Sequence, residues 1–325
     1  MKKLYLFLFA CSSFLEGREN SYSIVYVHIG QTLPSYLKVS LIQTRLFNPE
    51  AKLVLIANRT TLNNFDPSLN LTLIPLEDLP KTIEHSTFEK RTKLDTDFEH
   101  GYHKYTSERF LVLFDYMVKY HAENVFHIEN DVLLYKNLQE LLPVFQKYYP
   151  AIASTFESEF KCIPGFLFIK NDKSMKQLAN YFAIKAHLAL SDMKLLALFW
   201  KDHEEAIDCL PMIMENYLLE KSPTRFNTNA WKKKQRHCQH IEEFGAIFDG
   251  AAIGVYFDGL SPDKGNFPPG HLMKMLFNPS EIDFFWSLDE YSRKIPFARY
   301  KEKTYPIVNL HIASKRLENF TSTPK

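Results

Sequence analysis

Short apolar, β-branched runs alternate with stretches of helical periodicity over the first 135 residues, and that alternation limits the fold more than any other feature. Ile24-Val25-Tyr26-Val27-His28-Ile29 reads as a strand and stops at Gly30. Pro34 to Phe47 predicts a helix whose apolar side is Leu37, Val39, Leu41, Ile42 and Leu46. Pro34 suits its first turn, and Asn48-Pro49 ends it. Lys52 to Ala57 is a second strand and Leu71 to Leu76 a third. Residues 80–104 are polar and read as a long loop. Next comes a helix with Phe110, Leu113, Phe114, Met117 and Val118 at helical spacing, capped by Thr106 or Ser107. Asn124 to Ile128 is the following strand. Such an order predicts an α/β fold, a mainly parallel sheet covered by helices on both faces. Ligands of these sheets lie beyond the carboxyl ends of the strands, so function belongs directly after each strand.

The second half is mixed. Ala151 to Thr155 and Gly165 to Ile169 read as strands, and 173–188 and 192–220 as mostly helical with a break near Pro211. Residues 221–275 are loop-rich, and Ile307 to His311 is a last short strand.

Composition removes several classes of function. Lys+Arg 39 against Asp+Glu 38 leaves a net charge of +1, so no bulk attraction toward nucleic acid exists. With 10 glycines in 325 residues and no Gly-rich motif, a phosphate-cradling glycine loop is excluded as the main device. The four cysteines form no CxxC pair, which argues against a disulfide scaffold or a cysteine-rich zinc site.

Met1-Lys2-Lys3, the apolar run Leu4 to Ala10, and Cys11-Ser12-Ser13 resemble a leader, a signal or an anchor over residues 1–20. A real leader implies membrane association through the N-terminus or the secretory pathway; without one the protein is cytoplasmic. The run is too short for a membrane-spanning helix, which takes about 20 apolar residues.

The strand Asn124 to Ile128 runs straight into Glu129-Asn130-Asp131. In extended backbone, residues two apart share a side, so Glu129 and Asp131 are expected to aim into one crevice. Two carboxylates there repel unless a cation or donor groups compensate them, and oxygen ligands suit Mg²⁺ or Mn²⁺. A polar turn after a strand is the plain alternative, because ExD is common.

The segment Asn124 to Tyr135, NVFHIENDVLLY, resembles the DxD region of GT-A-type glycosyltransferases, in the variant form Glu129-Asn130-Asp131. Four more pieces resemble that class in order: Pro164 to Asn171, Ser191-Asp192-Met193, Phe248 to Gly254, and Asn309 to Lys315. The likeness spans roughly residues 22–318 and departs from the family pattern at Glu129, while Asp131 keeps the position of the usual direct ligand. The resemblance implies a GT-A-like domain over 21–318, with a nucleotide-sugar half at 21–135, an acceptor half at 136–318 and a tail at 319–325. It implies transfer of a sugar from a nucleotide-diphosphate sugar, first of all a UDP-sugar, to an unknown glycan, lipid-linked or protein acceptor, with Mn²⁺ or Mg²⁺ as cofactor.

Under that resemblance Asp131 holds the ion directly, and Glu129 reaches it through water or contacts the donor. His311 is the third metal ligand, or else a satisfied core histidine. Imidazole favours Mn²⁺ over Mg²⁺. Lys315 neutralises diphosphate, or else is an ordinary solvated lysine. Arg109, read as lying near the start of its helix, contacts the diphosphate or orients Asp131, or else is an ordinary surface arginine. His28, Asn58 and Asn130 are the other donor-side residues, with local capping as the alternative for the first two. Asp192 and Asp249 are the first acid–base candidates, and Glu157 and Glu159 weaker ones. Asp192 could instead cap its helix, and Asp249-Gly250 could form a turn.

The basic run Lys232 to Arg236 is a solvated loop or a contact for an anionic acceptor or headgroup. His237-Cys238-Gln239-His240 has ligand types but no second pair for zinc. Two other readings stay open: a non-catalytic nucleotide- or carbohydrate-binding protein of the same fold, and an exported interaction protein.

Overall fold

A computed structural model describes residues 21–63, 65–96, 101–221, 234–266 and 276–322. The leader, residues 232–233 of the basic run and the last three residues lie outside these. The chain opens with β1 (Ser23–His28), α1 (Ser35–Phe47), β2 (Lys52–Ala57), β3 (Leu71–Pro75), α2 (Ile83–Arg91), α3 (Tyr102–Tyr120), β4 (Val125–Ile128) and β5 (Val132–Leu134). There follow α4 (Leu138–Tyr148), β6 (Ile152–Ser158), β7 (Lys161–Ile169), α5 (Asp172–Lys185), α6 (Asp192–Asp202), β8 (Ile207–Cys209) and α7 (Glu215–Lys221). Last come α8 (Ile241–Phe244), α9 (Ala252–Phe257), β9 (Asp283–Leu288), β10 (Lys294–Tyr300), β11 (Lys303–Pro306) and β12 (Asn309–His311).

A seven-stranded sheet has the order β3-β2-β1-β4-β7-β6-β8. Four neighbouring pairs run parallel, β3/β2, β2/β1, β1/β4 and β6/β8. β7 is antiparallel to both β4 and β6. Alternation along β1 explains its covering. Val25 and Val27 pack with α3 residues such as Phe110 and Leu113, and with Leu178 and Phe182 of α5. Ile24 and Tyr26 pack the opposite way, with Leu37 and Leu41 of α1 and Phe145 of α4. An apolar residue at every position thus serves a strand buried on both faces. Tyr26 satisfies its buried hydroxyl on Ser40 at 2.9 Å and Thr44 at 2.7 Å, which locks α1 onto the sheet.

The chain moves outward from β1 to β2 and β3, then returns to lay β4 on the other flank of β1. The order therefore reverses between β1 and β4, and a crevice opens beyond their carboxyl ends. A third core joins Leu133 and Tyr135 to Ile295, Ala298, Ile307 and Leu310, beneath the antiparallel sheet β11-β10-β9.

Several local expectations change. Residues 83–91 form α2, capped by Thr82, whose hydroxyl accepts from the His85 N–H at 3.3 Å; polarity hid a helix whose buried face is His85 and Phe88. α3 begins at Tyr102 behind Gly101 at φ 81, so Thr106 and Ser107 lie inside the helix and do not cap it. The stretch 192–220 is broken not by Pro211 alone but by β8, which pairs with β6. β5 and β9–β11 were not anticipated; β5 is only three residues long, and β9 is partly exposed. Among the described residues no helix is long and apolar enough to cross a membrane.

Candidate active site

The acidic segment is a tight turn and not a continuation of the strand. The Val132 N–H donates to the Glu129 carbonyl at 3.1 Å, and the Glu129 N–H donates to the Gly165 carbonyl of β7 at 3.1 Å. Glu129 and Asp131 still converge, but through the turn and not through the two-residue repeat of a strand.

The partner of both acids arrives from the other end of the chain. β12 pairs antiparallel with β5, placing His311 opposite Val132, and the Ile312 N–H donates to the Asp131 carbonyl at 3.0 Å. His311 Nε2 then lies 3.1 Å from Asp131 Oδ2 and 3.6 Å from Glu129 Oε2. One ligand atom from each of Glu129, Asp131 and His311 falls within 4.8 Å of the others. Two carboxylates and an imidazole at that spacing suit a first-row divalent ion, so these residues fit the metal their pattern implies.

Three features hold His311 there. Its backbone N–H donates to Asp249 Oδ2 at 3.0 Å. Gly254 passes so close that a Cβ would overlap the His311 carbonyl oxygen. A Cβ on Gly165 would stand 3.1 Å from His311 Nδ1 and 3.2 Å from Val132 Cγ2, so the small residue in β7 makes room for the ring.

Charge accounts for the protonation of the cluster. Burial opposes ionisation of Asp131, yet His311 and Lys315 outweigh it and hold the carboxyl well below the usual range. Burial would lower His311, but Asp131 and then Glu129 raise it to about 9. Lys315 Nζ also rests on Asp131 Oδ2. Ser314 fixes that loop, its N–H donating to Asp258 Oδ2 at 3.1 Å and its hydroxyl to Oδ1 at 2.6 Å.

Arg109 is not where its helix was expected to place it. It sits two turns inside α3 and pairs with Glu129 and, at 2.8 Å, with Asp192 Oδ2. It makes no ion pair with Asp131; its charge faces the two other acids. Asp192, the first residue of α6, is buried, and burial pushes its carboxyl up while Arg109 works against that. Asp249 is fully buried and accepts from Ile253 N–H at 2.9 Å, Gly254 N–H at 2.9 Å and His311 N–H. Asp192 pairs with Arg109, and Asp249 joins the start of α9 to β12. Glu157 pairs with Lys161 at 2.7 Å in the β6–β7 hairpin, and Glu159 is exposed beside it.

A cleft of about 690 Å³ opens at the ends of β1, β2 and β4, in the range usual for small-molecule sites. His28, Asn58, Arg109, Glu129, Asn130, Asp131 and Lys315 all reach its wall. His28 donates from Nε2 to the Thr32 carbonyl at 2.8 Å and accepts from Asn130 Nδ2 at 3.1 Å, which fixes its tautomer. Asn58 Oδ1 accepts from the Gly30 N–H at 3.0 Å, the local tie foreseen as its alternative. Sequence reasoning missed Tyr36, Tyr102 and Tyr105, three aromatic rings on the same wall. Their signal was an aromatic at the start of a helix directly after a loop. At the zinc-like stretch, His237 and Cys238 are buried, and the thiol donates to the Gln235 carbonyl at 3.2 Å.

The fold and site define an α/β protein with an acid- and imidazole-lined cleft at a reversal of strand order. No family model matches the chain, and no curated protein matches it. Among solved structures, it is similar to apo mouse xyloside xylosyltransferase 1 at 10% identity and a TM-score of 0.42, over 62% of this chain and 90% of that one. It is similar to the PaToxG glycosyltransferase at 13% identity and a TM-score of 0.40, over 75% and 98%. It is also similar to a cytidylyltransferase from Leptospira borgpetersenii at 10% identity and a TM-score of 0.36, over 69% and 87%. Scores of this size carry no weight for the chemistry, which rests on the site itself.

Proposed function

We propose that this chain is a metal-dependent glycosyltransferase of GT-A type that takes its sugar from a nucleotide-diphosphate sugar, with UDP-sugars the first donors to test. The observation that carries this reading is the meeting of Glu129, Asp131 and His311, the two acids lining a cleft beyond the strand ends.

Breaking the bond between an anomeric carbon and a diphosphate oxygen leaves negative charge on the diphosphate. A bound Mn²⁺ or Mg²⁺ supplies Lewis-acid stabilisation of that charge. Asp131, His311 and Glu129 would hold it, and His311 favours Mn²⁺. Lys315 adds a cation at the cleft wall for the same anionic group. Asn130 brings a buried Oδ1 with no hydrogen-bond partner among the described residues, an acceptor suited to a donor hydroxyl. Arg109 offsets Glu129 and keeps the acid pair from repelling an incoming diphosphate too strongly.

The test is a donor screen. The protein is incubated with Mn²⁺ and several nucleotide sugars, and free nucleotide is measured for the wild type and Asp131→Asn. Release that needs Mn²⁺ and falls by about 100-fold in the variant is expected. Equal release from both proteins removes the metal assignment. Donor binding without any release removes transfer and leaves a binding protein.

A further inference from the structure

A second cluster lies outside the cleft, where α2 meets α3. His85 and Glu89 stand one turn apart on α2 and share a face, while Glu108 comes from α3. A ligand atom from each lies within 4.8 Å of the other two. The His85 ring is fixed from behind: Nδ1 meets Asp115 Oδ2 at 2.5 Å, and Asp115 Oδ1 accepts from the Thr82 N–H at 2.8 Å. Nε2 thereby faces Glu108 Oε1 at 3.4 Å.

Two observations ask for a cation here. Glu108 is 8% exposed, and its Oε2 is buried with no hydrogen-bond partner among the described residues. An unsatisfied buried carboxylate oxygen is costly. Glu89, Glu108 and Asp115 also crowd one imidazole, with Lys81 pairing Glu89 at 2.6 Å. A protonated His85 bridging Asp115 and Glu108 is the rival arrangement. It leaves Oε2 without a donor, and 3.4 Å is long for a charge-assisted bond, which runs about 2.7–2.9 Å. The same separation fits two ligands of one tetrahedral ion, whose bonds of about 2.0–2.1 Å put ligands about 3.3 Å apart.

We propose that His85, Glu89 and Glu108 form a second divalent-cation site of zinc type, with Asp115 orienting the imidazole. A carboxylate behind the far nitrogen is how metal-bound histidines are commonly held. The donor set, one imidazole nitrogen and carboxylate oxygens, suits zinc. The ion ties α2 to α3 beside Arg109, the residue after Glu108, and so steadies the guanidinium that meets Glu129 and Asp192. This site stands independently of the sugar-transfer reading.

The cleft cluster also fits a divalent ion, so the test uses full-length protein carrying Asp131→Asn and His311→Gln. The chelator-stripped protein is titrated with ZnCl₂ by calorimetry, and its thermal unfolding is followed with and without zinc. One equivalent of zinc and a raised Tm are expected. Adding Glu89→Gln, at an exposed position, should leave the zinc-free Tm unchanged and weaken zinc binding by at least about tenfold. Adding Glu108→Gln should do the same to binding. The proposal fails if the parent double variant takes up no zinc, or if Glu89→Gln binds zinc as tightly as that parent. Nucleotide release is a separate readout, so either reading can fail alone.

Discussion

Asp249 and His311, 62 positions apart in sequence, are joined by a single bond from the His311 N–H to Asp249 Oδ2 at 3.0 Å. The carboxylate acts on the imidazole through the backbone, and its other contacts go to the first turn of α9. Asp249 thus ties the start of α9 to β12, and its loss should lower stability.

Asp249→Asn replaces one of two accepting oxygens with an amide N–H, which faces donors already in place. Unfolding in urea should show a loss of about 1–3 kcal/mol, the cost of a buried group left unpaired. Unchanged stability would show that this tie is dispensable.

Gly254→Ala sets a methyl against the His311 carbonyl, which is backbone and cannot rotate away. The expected cost is about 1–3 kcal/mol or more, with weaker Mn²⁺ binding as β12 shifts. Gly245→Ala makes the control: a Cβ there meets nothing within 4 Å, though φ is +55, so only backbone strain of about 1 kcal/mol is expected. Equal losses at the two sites would contradict the close approach.

Arg109→Met leaves the buried Asp192 and the half-buried Glu129 without their shared cation. Breaking such a buried pair costs about 3–5 kcal/mol. Adding Asp192→Asn removes one stranded charge and should recover part of the loss, which a double-mutant cycle in urea measures. Purely additive losses would rule out the coupling.

His237 supplies a pH dependence away from both clusters. Burial first, then Arg236, lowers its pKa from 6.5 to about 4. The unfolded chain takes up a proton near pH 6.5 while the folded one stays neutral, so stability is complete above that pH and declines as pH falls through the window toward 4. The loss by the lower end is about 3 kcal/mol. His237→Leu should flatten this part of the stability profile relative to wild type; parallel profiles would refute it.

Local pattern made the scaffold legible. Ile24 to Ile29, Lys52 to Ala57 and Asn124 to Ile128 announce themselves because strands buried on both faces need an apolar residue at nearly every position. Glu129 and Asp131 could be named because ionisable side chains directly after such a strand stand out from their surroundings, whereas His311 came only through the resemblance of its segment. The helix over Ile83–Arg91 stayed hidden because its buried surface is little more than His85 and Phe88, too narrow a stripe to show a period.

What the sequence determined alone is the alternating α/β order and the identity of the acids at a strand end. Tertiary structure decided who meets whom. His311 reaches Asp131 across 180 positions because β12 pairs with β5, and Arg109 reaches Asp192 across 83 because α3 and α6 flank the same sheet. The reason is physical: backbone propensity and burial act over a few neighbouring residues and leave a periodic trace. An ion pair or a hydrogen bond between distant segments depends on packing that brings them together, and packing writes no period into either segment.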